Sequence, residues 1–310
     1  MSTLHRLLGA SALRQTSIRI KTSVEGVGVH TGEKSRVQIA TAPPHTGILF
    51  QIMKDDQMVC EIPANIHHVT HSQFNTTLAC DGHQIHTVEH LLAALMGAGI
   101  TNAYVRVWGR EIPILDGSCR PWLQDVFPDI NIRTYSEQQP MIRVLKTVEA
   151  RQGSAWCRIS PRNSFRVSYE LEYDHPLIGD QTMSLEITPQ TFAFEIAGSR
   201  TFGFLKDLPQ MQSQGMSLGA STKNVLVFTD VDIYQGQSAR WSDEPVRHKI
   251  LDVVGDLSLA GAPILGHFEG HKSGHALNQK LVAHLLADPT AWEWYQNHDQ
   301  FQNPMVEYSV

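Results

Sequence analysis

A chain of 310 residues that is 42% hydrophobic and 18% charged can bury a sizeable core, and a prior of roughly 150 residues per domain points to two domains. Its formal net charge of −6 provides no clustered basic footprint for nucleic acid, and its longest apolar run, residues 91–100, falls well short of the about 20 residues a membrane-spanning helix needs. The four cysteines, Cys60, Cys80, Cys119 and Cys157, form no C-x-x-C pair, which excludes a zinc ribbon or thioredoxin motif and fits free thiols in a reducing compartment.

Residues 1–24 carry no Asp or Glu but do carry Arg6, Arg14, Arg19 and Lys21. That composition describes a disordered or strand-leading N-terminal extension, bounded here at 1–17, with a cleaved organelle leader as the minor alternative. Short strands follow from 17 to 52, SIRIKTSVEGVGV, SRVQIA and GILFQI, broken by HTGEK and PPHTG turns. The run GVGVHTGEKS suggests a phosphate loop only superficially. Glu33 separates Gly32 from Lys34, and three residues separate Gly28 from Gly32, so neither glycine-rich signature is met and a hairpin turn is expected.

A helix is expected over about 87–96, with Val88, Leu91, Leu92 and Leu95 on one face and Gly97 as its stop. The strand NAYVRVW and the segment EIPILDGS come next, with a turn at Asp116-Gly117. The polar stretch NIRTYSEQQP, residues 131–140, marks a domain boundary, placing one α+β domain at 18–138 and a second at 141–300. The second half repeats the first in outline, with strands MIRVLKTVEA, AWCRIS and FRVSYELEY and a helix over 243–259. EHLLAALMGAGI and RHKILDVVGDLSLAGAPI both run from a charged residue and a His into an apolar stripe and a Gly-Ala end. Duplication of one strand-and-helix unit explains this; two unrelated amphipathic helices are the alternative. The Met- and Gly-containing segment near 205–230 is expected to be an inserted lobe, a common place for substrate contacts.

Of the 16 histidines, His67, His68, His71, His83 and His86 sit in polar strand-and-loop sequence and read as exposed or hydrogen-bonded. His248 and Asp252 are spaced i, i+4, so on a helix they share a face and suit two ligands of one cation. Standing alone, that pair would read as a surface contact worth about a few tenths of a kcal/mol. His90, at the start of the other helix, is the best third ligand, and a His2Asp set leaves one tetrahedral position open, as catalytic zinc requires. Glu89 precedes His90 and points about 100° around the helix from it. It can take the proton of a water whose pKa zinc has lowered to about 7, or it can merely favour the helix N-terminus. H-E-x-x-H is absent. GHKSGHALN places Lys272 and His275 in a glycine-bounded loop before a helix, a plausible seat for a cation and an acid catalyst beside an anionic substrate.

Taken in order, GVGVHTG, TVEHLLAAL, EIPILDGS, SRTFGF, DEPVRHKILDVVGDL and KSGHALN closely resemble the UDP-3-O-acyl-N-acetylglucosamine deacetylase family, from about residue 18 to 290. The resemblance implies two similar α+β domains, each a sheet packed on helices with the active site between them, one Zn2+ per chain and cytoplasmic bacterial enzymology. It implies a UDP-linked acylated amino sugar as substrate and hydrolysis of its N-acetyl group as the committed step of lipid A biosynthesis; no obligate protein partner is inferred from the sequence. By the same resemblance, His90, His248 and Asp252 are the zinc ligands and Glu89 the general base. Lys249 and Phe202 meet the substrate, Thr201 donates to the developing oxyanion, and Asp256 orients His275, the acid or electrostatic stabiliser. Lys272 is expected near the nucleotide phosphates, and the lobe around 205–230 is expected to shelter the acyl chain. The long basic N-terminus and the histidine-rich stretch 66–86 depart from the family pattern. A metal-free acid–base enzyme using Glu89 and His275, and a non-enzymatic nucleotide-sugar binder, are the two rival readings; activity after chelation and the absence of turnover would distinguish them.

Overall fold

A computed structural model describes residues 14–71, 74–126 and 131–296. The expected leader up to residue 13, and residues 297–300 of the expected second domain, lie outside the described residues.

The first half contributes β1 (Arg14–Ile18), β2 (Thr22–Val27), β3 (Lys34–Thr41), β4 (Ile48–Lys54), β5 (Gln57–Pro63), β6 (Val69–His71), β7 (Thr77–Cys80), β8 (His83–Ile85), α1 (Glu89–Gly97), β9 (Ala103–Trp108) and β10 (Ile132–Gln138). Its main sheet has the order β2-β3-β9-β4-β5. Pairing along it is antiparallel, antiparallel, parallel and antiparallel.

The second half contributes β11 (Met141–Val144), β12 (Val148–Gln152), β13 (Ala155–Ser160), β14 (Phe165–Glu172), β15 (Asp180–Glu186), β16 (Phe202–Phe204), α2 (Leu208–Ser213), β17 (Leu226–Phe228), α3 (Glu244–Leu257), β18 (Ile264–His271), α4 (His275–Ala287) and β19 (Trp292–Tyr295). Through its centre runs β12-β13-β18-β14-β15, again antiparallel, antiparallel, parallel and antiparallel, with β11 and β19 added beside the start of β18. Each half therefore runs four strands, a helix and a return strand into the middle of its sheet. The two sheets share their order and strand senses, as duplication of one unit requires, and the fold is α+β.

Each half also carries an insertion at the same topological point, between its fourth main strand and its helix. In the first half this is the small sheet β6-β7-β8; in the second, β16 and β17 pair in parallel around α2. The central strands alternate buried and partly exposed residues, with β9 and β18 doing so throughout, which is the period-two signature of a sheet with one face on a core.

Between the sheets, α1 and α3 pack on one another. Both are buried almost all round, and α3 also packs on β14 and β15 of its own sheet. The start of α1 departs from the expected 87–96: Thr87 has φ +58°, a conformation no helix continues through, and its hydroxyl donates to Glu111. The helix ends at Gly97, as expected, but Gly97 does not make the turn out of it. The chain leaves the helix at Gly99, φ +71°, where Gly99 and Ile100 donate back to the Met96 and Leu95 carbonyls. Gly97 instead lies against the Phe192 ring, which a Cβ there would overlap.

The polar stretch 131–140 contains β10, which pairs with β1. Its side chains are mostly outward, so its composition carries no hydrophobic signal, whereas Gln15, Thr16, Ser17 and Ile18 of β1 are buried. Asn102 and Thr101 complete their hydrogen bonds. Residues 14–17 of the segment expected as an extension thus belong to β1. The HTGEK segment is the expected β2–β3 turn, closed by Gly28 N–H to the Glu33 carbonyl at 3.0 Å.

Candidate active site and metal centre

His248 and Asp252 lie one turn apart on α3, and the packing of α1 against α3 carries His90 to them from the other half of the chain. Among the described residues, these three form the one group of His, Cys, Asp or Glu whose ligand atoms gather within 4.8 Å of one another. All three are buried. Asp252 Oδ1 lies 3.8 Å from His90 Nε2 and 3.4 Å from His248 Nε2, beyond ordinary hydrogen-bond lengths, so the donors surround a common point instead of bonding to each other. His248 Nδ1 meets the Ser199 carbonyl at 3.1 Å. Donation there leaves the Nε2 lone pair free for a metal.

The electrostatics suit a cation. Burial pushes His90 down to about 3 and lowers His248 as well, so both imidazoles are neutral and have a lone pair to offer a cation. Burial alone would raise Asp252, but Lys249, His248 and neighbouring histidines outweigh it and hold the carboxyl below its usual range. Lys249 Nζ donates to Asp252 Oδ2 at 2.9 Å, which leaves Oδ1 turned toward the imidazoles. The donor set of two nitrogens and one carboxylate oxygen fits zinc with an open position.

Glu89 begins α1 and is buried. Its Oε2 accepts the Thr76 N–H at 2.9 Å, and burial pushes its pKa up to about 7. His275 begins α4, with Nε2 4.0 Å from Glu89 Oε1. Its Nδ1 donates to Asp256 Oδ2 at 2.9 Å. Burial alone would depress this imidazole; the Asp256 carboxylate, with Asp252 and Glu89 behind it, outweighs burial and pushes it up to about 10.

A cavity of about 450 Å³ opens over these groups. At one end it is lined by Glu89, His90, Thr201, His248, Lys249, Asp252 and His275; at the other by Tyr173, Phe204, Leu208, Met211 and Val227. The second-half insertion thus forms its apolar end. Thr201 is held by its own N–H to the Gly117 carbonyl at 2.8 Å and by Leu226 N–H to its carbonyl at 2.9 Å. Phe202 meets His248 edge to face, with ring centroids 6.4 Å apart, and lies within 5.8 Å of Lys249 Nζ.

Of the residues expected from sequence, Glu89, His90, Thr201, Phe202, His248, Lys249, Asp252 and His275 line this one cavity, with Asp256 directly behind His275. Lys272 does not line it. Its backbone has φ +53°, and its ammonium pairs with Glu172 at the end of β14. Sequence reasoning missed Thr76, Asn278 and Ser199, because polar residues without a charge or a periodic spacing send no signal. It did separate the bystander histidines from the site in two cases: His68 and His86 bond to Asn65 and Thr77.

The chain matches the family described as UDP-3-O-acyl N-acetylglycosamine deacetylase over residues 15–287. It belongs to that deacetylase family. The UDP-3-O-acyl-N-acetylglucosamine deacetylase of Stenotrophomonas maltophilia (strain K279a) is 40% identical over 300 residues, covering 96% of this chain and 98% of that protein. The protein of the same name from Xanthomonas axonopodis pv. citri (strain 306) is 39% identical over 298 residues, with the same two coverages. The stretch matched to the deacetylase family takes in both five-stranded sheet cores, both insertions and every residue lining the cavity.

Proposed function

We propose that the chain is a zinc-dependent deacetylase that hydrolyses the N-acetyl group of UDP-3-O-(hydroxyacyl)-N-acetylglucosamine, releasing acetate and the free amine in the committed step of lipid A biosynthesis. One zinc ion per chain would be held by His90, His248 and Asp252. The observation that carries this reading is the placement of Glu89 and His275, a buried carboxyl and a carboxylate-backed imidazole, on the cavity wall beside the three-ligand set. When bound, zinc supplies Lewis-acid polarisation of the amide carbonyl and of the attacking water.

Glu89 takes a proton from the attacking water; a pKa raised by burial toward neutrality suits a general base. As the carbonyl carbon becomes tetrahedral, its oxygen faces the Thr201 hydroxyl, whose backbone is already fixed on both sides. His275, kept protonated by Asp256, offsets the developing negative charge and gives its proton to the amine nitrogen as the C–N bond breaks. Lys249 and Phe202 form the wall that receives the sugar, and the apolar end around Leu208 and Met211 shelters the acyl chain. Lys272, outside the cavity, would be reached by the nucleotide portion only beyond its rim.

The bacterial relatives and the nucleotide-linked substrate support action in the cytoplasm. We place the two domains at 18–138 and 141–300, each holding one sheet core and one insertion. Metal content and acetate release, measured together on the purified protein before and after chelation, test the reading. Stoichiometric zinc and activity lost and restored with it are expected; full activity after complete metal removal would refute it.

A further inference from the structure

Thr76 sits just before β7, in the insertion of the first half, and is fully buried. Hydrogen bonds leave it toward both halves. Its backbone N–H donates to Glu89 Oε2 at 2.9 Å. Its hydroxyl donates to Asp256 Oδ1 at 2.7 Å, 180 positions away along the chain, and accepts from Gln279 Nε2 at 2.8 Å. A hydroxyl has one proton to give and two lone pairs, so the Asp256 and Gln279 bonds fix its rotor.

Asp256 in turn is held from two directions. Its Oδ2 accepts His275 Nδ1 and Asn278 Nδ2, each at 2.9 Å, and both donors come from α4. The Thr76 hydroxyl donates to the opposite oxygen, Oδ1, which His275 Nδ1 also approaches at 3.1 Å; of these donors it alone belongs to the other half of the molecule. Without it, the carboxylate would be held by donors of α4 alone, and its alignment, with that of the His275 ring, would no longer be tied to the first half. With it, Glu89 and His275, from different halves, are referred to one residue.

We propose that Thr76 is a positioning residue of the acid–base pair, whose hydroxyl orients His275 through Asp256 while its N–H holds Glu89. This rests on the acid–base reading above. A residue that only filled space between the halves would not need both bonds, and its loss would fall on stability and on substrate binding together. A residue that aligns the pair acts on the rate of the chemical step, because a displaced general acid loses catalysis without loosening substrate contacts made elsewhere.

The test is kinetics and zinc content on Thr76→Val, which keeps the shape and the N–H but removes the hydroxyl, and on Thr76→Ser, which keeps the hydroxyl. Thr76→Val should lose about 10–100-fold in kcat, the range typical when an outer hydrogen-bond partner is removed, with KM within about two-fold and zinc unchanged. Thr76→Ser should retain most of the rate. Combined with His275→Ala, Thr76→Val should add little further loss, since residues acting through one another are not additive. If Thr76→Val alone does not fold, Thr76→Val with Gln279→Leu removes donor and acceptor together and should show the same loss. Wild-type kcat in either hydroxyl-free variant, a loss confined to KM or zinc content, or full additivity with His275→Ala overturns the proposal. Full activity of His275→Ala by itself would instead overturn the acid–base reading, and the proposal with it.

Discussion

Gly255, near the end of α3, faces the backbone carbonyl of Glu89, the first residue of α1, so closely that a Cβ on it would overlap that oxygen. The two helices that carry His90, His248 and Asp252 meet at this glycine. Its missing side chain lets His90 approach His248 and Asp252.

Gly255→Ala therefore sets two effects against each other. In an exposed helix the change stabilises by about 1 kcal/mol, whereas overpacking a buried contact costs about 1–3 kcal/mol, and here backbone meets backbone with no flexible side chain to yield. Net destabilisation is expected in chemical denaturation, together with weaker zinc retention in a chelator competition. A variant as stable and as metal-loaded as the parent would show that the helices separate without strain.

Metal binding and chemistry should come apart in Glu89→Ala and His248→Ala. Glu89 lies outside the proposed ligand set, so its removal should leave zinc in place while the rate falls about 10²–10⁴-fold, as is typical for loss of a general base. His248→Ala should lose zinc and rate together. Zinc content and acetate release in one buffer decide the matter, and metal-free Glu89→Ala would make Glu89 a ligand.

The rate should follow a bell-shaped pH profile. Glu89 must be ionised to accept a proton, so activity rises as pH climbs through its raised value of about 7. A bound dication nearby favours the ionised form and moves this limb to lower pH. His275 must be protonated, so activity falls as pH climbs through about 10. Profiles of kcat/KM for the parent and His275→Ala should differ in the alkaline limb; an unchanged limb would assign that ionisation to another group.

Glu244, at the start of α3, is fully buried and accepts the Arg200 N–H and Nε at 2.9 Å each, with the Arg240 N–H as a further donor. Burial would raise its pKa, but these donors outweigh it and hold the carboxyl below its ordinary 4.5. Because the folded value lies below the unfolded one, the stabilisation is present above pH 4.5 and is lost as pH falls through the depressed folded value. Glu244→Gln should cost about 3–5 kcal/mol at neutral pH, as breaking one side of a buried ion pair does. In denaturation series the gap to the parent should shrink as pH falls through the carboxylate range. Arg200 adjoins Thr201, so kcat should fall too.

Much of the chain was legible as local chemistry. The i, i+4 spacing of His248 and Asp252 placed both on one helix face, the apolar stripe marked α1, and the turns at HTGEK and Asp116-Gly117 followed from their glycines, because each depends on neighbours a few residues away. The resemblance between EHLLAALMGAGI and RHKILDVVGDLSLAGAPI pointed to two like units before their matching strand orders were visible. Other features had no local cause. The polar run 131–140 became a strand because β1 supplies its partner from the far end of the chain. Thr76 gained its place because Asp256 and Gln279 lie opposite it across the interface. Lys272 pairs with Glu172, at the end of the neighbouring strand, a partner that no spacing along the chain announces. His90 reached His248, half the chain away, because a glycine let two buried helices touch. Spacing along a chain decides which side chains share a face; which faces meet depends on the packing of the whole interior.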